Sequence, residues 1–358
     1  MASYSPKARF GAMLRAAREY EASDIHVMAD LPPAFRVSGE IAIADWEPFT
    51  REELVELSQV ILSAAQLERL EAERELCISF YYEDLGRLRV SFYHRMGVPE
   101  LAIRMCNLEV KSAEELRLPA LIDKLCDKRS GLIVITGPTG VGKTTTLNYM
   151  VDAINRKRRC KIVTIEDPVE FEHQHRKSII CQIEVTTDTL SFASCLRHTL
   201  RLDPDVICIG EMRDIDTMQT ALTAAETGHL VIATLHTPNA VTTVERIVGS
   251  FEGGRQRQIV LQLSSVLEAV VAQRLVPTVN RRQRVLACEI LLATTAVRNL
   301  IRENNVHQLQ NAIVTSRSVG MQTMEDALAR LYRQGAISLD QALSNATYPD
   351  DLQSMLRH

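Results

Sequence analysis

Apolar positions recur along the chain with two different periods, and the changes between them outline the elements. Residues 51–75 place Leu54, Leu57, Val60, Ile61 and Leu67 at helical spacing among charges, which predicts one helix packed on a small sheet. From Gly86 the run Gly-Arg-Leu-Arg-Val-Ser-Phe-Tyr alternates at period two, as a half-buried strand does. With Pro32-Pro33 and Gly39 punctuating the earlier part, residues 1–107 read as a compact mixed domain of helices and strands.

After a polar linker at 108–119 (LEVKSAEELRLP) the pattern changes. Short, near-continuous apolar runs at 132–136, 161–165, 206–210, 230–235 and 285–292 alternate with helical stretches. Strands buried on both faces read this way, so 120–358 is expected to form an α/β layer architecture around a largely parallel sheet. From about Thr294 the chain reads as helical. Thr323 three residues before Asp326, and Ser338 three before Gln341, mark two helix starts, with Gly335 a stop between them.

Composition narrows the class. The 358 residues suit two domains, and 46% hydrophobic with 24% charged residues excludes a disordered or fibrous chain. No run approaches 18 apolar residues, so no direct membrane span is expected. The first thirty residues, which include Lys7, Arg9, Arg15, Glu19 and Asp24, lack the apolar core of a signal peptide, and a cytoplasmic location is expected. Eight cysteines are scattered without a C-x-x-C, which predicts neither a zinc module nor a disulfide framework.

The strongest chemical signal is Gly137-Pro138-Thr139-Gly140-Val141-Gly142-Lys143-Thr144, a match to G-x-x-x-x-G-K-[ST] after an apolar strand and before a helix that opens with Thr145. A polyphosphate needs many donors in a small space. Backbone amides at a helix N-terminus supply them when glycines let the chain wrap closely. Lys143 would then meet the β- and γ-phosphates of ATP, and Thr144 would place its hydroxyl on Mg²⁺.

Hydrolysis also needs carboxylates, and these are sought at the C-terminal ends of neighbouring strands, which line the ligand crevice of open α/β sheets. Two clusters qualify: Glu166-Asp167-Pro168-Val-Glu170, and Gly210-Glu211-Met-Arg213-Asp214. His229 and His236 bracket a third strand at odd separation, so they face opposite sides and do not share a metal; His236, at the C-terminal end, is the better γ-phosphate sensor.

Together GPTGVGKTTT, TIEDPVEF, IGEMRDID and LTAAETGHLVIATLHT resemble the Walker A, Asp box, Walker B and His box of the secretion ATPase superfamily. Within it the chain is similar to the type IV pilus retraction ATPases, the PilT/PilU family. Ser23-Asp24-Ile25-His26 resembles an N-terminal family motif, and Ala296-Val297-Arg298-Asn299-Leu300-Ile301-Arg302-Glu303 resembles the tail retraction motif, with Val297 for isoleucine. The extension and type II ATPases usually carry a longer N-terminal region and a tetracysteine module, and by this resemblance the chain is expected to have neither.

The resemblance implies a RecA-like P-loop ATPase domain, a smaller N-terminal PAS-like α+β domain and a helical C-terminal tail. It implies Glu211 as the water-orienting Walker B residue that also serves Mg²⁺, Glu166 as a second catalytic carboxylate, and His236 as the γ-phosphate sensor. It further implies a homo-hexamer whose sites are completed by arginines of a neighbouring subunit, with Arg87, Arg89 and Arg104 as candidates. Implied partners are a pilus platform protein at the inner membrane, where the motor would be peripheral, and a paralogous retraction ATPase.

Residues 271–277 and the tail near Tyr348 look PilU-like while the Arg298 region looks PilT-like, so an autonomous motor and an accessory motor both stand. A nucleic-acid translocase would share the core. A net charge of 41 minus 45, or −4, and 5% aromatics supply neither a basic groove nor stacking positions. A regulator that binds nucleotide without turnover is opposed by Lys143, Thr144, Glu166 and Glu211 all being present.

Overall fold

Ser5 starts the first helix by accepting a hydrogen bond from the Ala8 amide at 3.3 Å, with Pro6 at the first helical position where its missing N–H costs nothing. The computed structural model describes residues 5–37, 39–82, 85–106, 109–281 and 283–357. It divides into two units, Met1–Glu109 with Pro168–Glu172, and Val110–Asp167 with His173–His358.

The first unit runs α1 (Pro6–Glu19), β1 (Asp24–Val27), β2 (Ala34–Val37), β3 (Glu40–Ile43), α2 (Arg51–Ile61), α3 (Ala64–Glu73), β4 (Glu75–Tyr82), β5 (Gly86–Arg95) and β6 (Val98–Met105). Its strands form one antiparallel sheet in the order β3-β2-β1-β6-β5-β4. Along β5, Leu88, Val90 and Phe92 are buried while Arg87 and Arg89 are half-buried, the alternation read from the sequence. The single helix expected over 51–75 is two. Leu62 is extended, and Ser63 opens α3 by a capping box with Gln66. A serine cap outweighs the continuing apolar period there.

The second unit continues with α4 (Ala113–Leu116), α5 (Leu121–Cys126), β7 (Gly131–Thr136), α6 (Lys143–Lys157), β8 (Lys161–Glu166), β9 (Ile179–Glu184), α7 (Phe192–Thr199), β10 (Val206–Ile209), α8 (Ile215–Glu226) and β11 (Leu230–Thr234). It ends with α9 (Ala240–Gly249), α10 (Gly253–Val266), β12 (Leu267–Pro277), β13 (Arg284–Leu292), α11 (Thr295–Arg302), α12 (Leu309–Thr315), α13 (Met324–Arg333), α14 (Leu339–Asn345) and α15 (Pro349–Arg357). The sheet order is β13-β12-β7-β11-β10-β8-β9, parallel except for the β12–β13 pair.

Every residue of β7 is buried. Leu132 and Val134 join the core on one face, Ile133 and Ile135 the core on the other, so helices cover both sides as in doubly wound sheets. At roughly 1.5–3 kcal/mol per buried aliphatic side chain, this central strand is the firmest part of the floor beneath the phosphate loop. Within 108–119 the structure places the short helix α4, capped by Ser112 and Glu115; Leu108 lies outside the described residues.

Two strands escape the sequence reading. β12 follows α10 directly, with Leu267 switching to extended geometry and no glycine or proline between, so the apolar run blends into the helix. β9 is an edge strand of mixed polarity. The tail helices start where expected: Thr323–Asp326 and Ser338–Gln341 are full capping boxes, and Gly335 (φ +67°) closes α13 with its amide on Tyr332 O and the Ala336 amide on Leu331 O.

Candidate active site

The loop after β7 is shaped by its glycines. Gly137 has φ +139°, and a Cβ there would lie 2.4 Å from the Gln273 carbonyl oxygen of β12. Gly142, at φ +87°, caps α6 without a side-chain bond, which leaves the first amides of that helix for an anion. Lys143 opens the helix and is buried. Its Nζ donates to Gly137 O at 2.8 Å, Pro138 O at 2.9 Å and His236 Nδ1 at 3.2 Å, so its three protons meet three acceptors. Burial lowers its pKa from the usual lysine value, with the Glu211 carboxylate opposing. Thr144 and Thr145 follow half-buried on the first turn.

His236 joins the loop to Glu211, just beyond the end of β10. Its Nε2 lies 3.0 Å from Glu211 Oε2. A neutral ring with the proton on Nε2 satisfies both neighbours, since Nδ1 then accepts from Lys143. Glu211 also pairs with Arg213 through Oε1. Gly210 lets β10 end against β8, where a Cβ would sit 3.1 Å from Ile165 O, and its carbonyl accepts from the Thr234 hydroxyl. His229, in contrast, bonds Ala224 O at 2.9 Å and lies near the Thr227 hydroxyl, serving the end of α8.

Glu166 is the last residue of β8 and is 3% exposed. The Thr164 hydroxyl donates to its Oε1 at 2.6 Å, and Gln182 Nε2 donates to the same oxygen at 3.1 Å. Gln182 also accepts the His173 amide at 2.8 Å, fixing the turn that follows the Asp box. A run of hydroxyls lies beside the phosphate loop: Thr136 Oγ1 meets Thr237 Oγ1 at 2.7 Å, and Thr237 Oγ1 meets Thr243 Oγ1 at 2.6 Å. Gln273 Nε2 donates to Thr146 Oγ1 at 2.7 Å, tying β12 to α6.

The sequence reading singled out none of Thr164, Gln182, Thr136, Thr243 or Gln273 as site residues. Only Thr164 carried a signal, two residues before Glu166 on one strand and hence on its face. Gln182 and Gln273 sit on the two strands that reading missed.

The three candidate arginines lie on the N-terminal sheet, in the other unit. Arg87 donates to Ser79 Oγ at 2.7 Å, Arg104 pairs with Asp24 at 2.9 Å, and Arg89 approaches Cys77 Sγ at 3.4 Å and Glu170 at 3.8 Å. Arg89 and Arg104 are register partners across β5 and β6, so both sit on one face.

A phosphate loop at the switch of a parallel sheet, with a lysine, a histidine and two strand-end carboxylates, defines a P-loop ATPase domain. The chain belongs to the Type II/IV secretion system protein family, whose model matches residues 87–344, and within it is an ATPase of the PilT/PilU branch. It is 40% identical over 330 residues to the type IV pilus retraction ATPase PilT of Pseudomonas aeruginosa, covering 92% of this chain and 96% of that protein. With the type IV pilus ATPase PilU of the same organism it shares 37% over 348 residues, 97% of this chain and 91% of the other. The solved structure of the pilus retraction motor PilT with bound ADP superposes with a TM-score of 0.89 at 42% identity, covering 96% and 98% of the two chains. The family and fold class expected from the motifs are borne out.

Proposed function

We propose that the chain is the subunit of a homo-hexameric motor that hydrolyses ATP with Mg²⁺ to drive type IV pilus retraction and disassembly, and so twitching motility. The observation that carries this reading is the continuous contact Lys143–His236–Glu211, which links the phosphate loop to the strand end expected to hold the attacking water.

On nucleotide binding, Lys143 exchanges the Gly137 and Pro138 carbonyls for phosphate oxygens, and the open amides after Gly142 cradle the rest. Glu211 orients water towards the γ-phosphorus. Glu166, held by Thr164 and Gln182, is a second carboxylate for proton transfer, and His236 registers the loss of the γ-phosphate through its two partners. The Thr144 hydroxyl and Glu211 carboxylate are hard oxygen donors that suit Mg²⁺ alongside phosphate and water. That ion, when bound, spreads the negative charge of the transition state. Arg87, Arg89 and Arg104 are the candidates for stabilising that charge across a subunit interface, and 108–119 is the hinge between domains.

Among the described residues no helix is long and apolar enough to cross a membrane. The partner proposed at the inner membrane is a pilus platform protein, as the family resemblance implies. A second reading, an accessory motor that works with a paralogous ATPase, is favoured by the match to PilU running over 348 residues.

Steady-state ATPase activity of the purified chain, measured beside its size in solution with and without nucleotide and Mg²⁺, tests the reading. A hexamer that hydrolyses ATP without nucleic acid is expected. Inactivity without a paralogue would select the accessory role, and activity only with DNA or RNA would overturn the motor.

A further inference from the structure

Glu289 lies on β13, 1% exposed, outside the set of residues that face the phosphate loop. Its Oε1 accepts the amide of Ala240 at 2.7 Å, the first residue of α9. Its Oε2 has no hydrogen-bond partner among the described residues, and the next residue, Ile290, pairs through its backbone with Gln322 just before α13, its amide donating to Gln322 O at 2.8 Å. One helix N-terminus thus rests on a buried acid whose strand also meets the start of another helix. Burial raises its pKa from the ordinary glutamate value and nearby Glu325 adds to the rise, while the Ala240 amide and Arg274 oppose it.

What Glu289 holds is close to the chemistry. Ala240 is four residues after His236. Between them Asn239 caps α9, its backbone carbonyl accepting from Thr243 Oγ1 at 2.7 Å. Thr243 meets Thr237 at 2.6 Å, and Thr237 meets Thr136, the last residue before the phosphate loop, at 2.7 Å. On the other side α13 belongs to the tail. Glu325, its second residue, accepts the amides of Thr347 and Tyr348 at 2.8 and 2.9 Å, and Arg274 of β12 donates to Asn345 O and to Thr347 Oγ1 at 2.9 Å.

We infer that Glu289 is a positioning residue for hydrolysis: it holds the N-terminus of α9, and so fixes the turn that presents His236, from a strand whose next residue is paired to the start of the C-terminal helices. The inference rests on the reading of His236 given above. Releasing the Ala240 amide would leave buried polar groups unpaired on both sides of that bond, so the carboxylate holds the start of α9 in place.

ATP turnover and fluorescent-ADP affinity of the full chain would be compared for Glu289→Ala, Glu289→Gln, His236→Ala and the Glu289→Ala/His236→Ala pair. Glu289→Ala is expected to lower kcat about tenfold or more with ADP affinity held within about twofold. Glu289→Gln keeps a carbonyl acceptor for Ala240 and should recover part of the loss. The double variant should be no slower than His236→Ala alone. Hydrogen exchange in Glu289→Ala should rise at 239–243.

Losses that add in the double variant, a parallel fall of kcat and ADP affinity, or unchanged exchange at 239–243 would each overturn the inference while leaving the role of His236 standing. Normal turnover by His236→Ala would overturn that role, and the inference with it. If Glu289→Ala does not fold, the Glu289→Gln/His236→Ala pair gives the same comparison.

Discussion

Nζ of Lys143 donates to Nδ1 of His236 at 3.2 Å, and the far nitrogen of that ring lies 3.0 Å from Glu211. The cation that would meet phosphate and the carboxylate that would meet water therefore share one imidazole. Replacing Lys143 by Ala removes charge-assisted bonds of about 1.5–3 kcal/mol, roughly ten- to hundredfold in affinity. Fluorescent-nucleotide titration of Lys143→Ala should show that loss, with circular dichroism unchanged.

Glu211→Gln should behave differently. The amide keeps the size of the side chain and can still contact His236, but it cannot take up the polarising role of a carboxylate. ADP affinity is expected to stay near that of the parent while kcat falls on the order of a hundredfold. Normal turnover by this variant would move the water-orienting role elsewhere, with Glu166 the next residue to test.

At Gly137 the added methyl group of alanine would meet the Gln273 carbonyl at 2.4 Å, in a backbone conformation that L side chains rarely adopt. Since β12 is held by β13 at Gln273 and by β7 up to Ala272, the loop must give way. Gly137→Ala is expected to abolish measurable nucleotide binding and to lower stability by about 1–3 kcal/mol, read from a thermal melt with and without ADP.

His173 supplies a pH dependence. It is buried, its Nε2 donates to Asn148 Oδ1 at 2.9 Å, and burial pushes its pKa down from 6.5 to about 4, with Asp152 opposing. Between those values the unfolded chain binds a proton that the folded chain does not. Its contribution is fully present above pH 6.5 and is lost as pH falls towards 4, by about 3 kcal/mol in all. Denaturant midpoints at several pH values should show this slope, and His173→Gln, which does not titrate, should flatten it.

Much of this was legible in the chain. Glu166 ends a buried strand, and the phosphate loop, Glu211 and His236 each follow one, so an apolar run leading to a polar residue located them. The capping boxes at Thr323 and Ser338 were equally plain, because a cap is a local event between residues three apart. What escaped depends on distance. Gln182 reaches Glu166, Gln273 reaches Thr146 and Glu289 reaches Ala240 across strands and helices far apart in sequence, and no short spacing encodes such a meeting. The split at Leu62 was hidden for the opposite reason, since two helices in succession kept nearly one apolar period.

The group that presses on Gly137 belongs to the main chain of β12, not to a side chain. Drift in the amino acid at position 273 can therefore alter the separate bond to Thr146 without changing the wall against which the phosphate loop is moulded. Inserting or deleting one residue in β12 is another matter, because it shifts that carbonyl along the strand. Over evolutionary time this strand should accept many substitutions and almost no change in length.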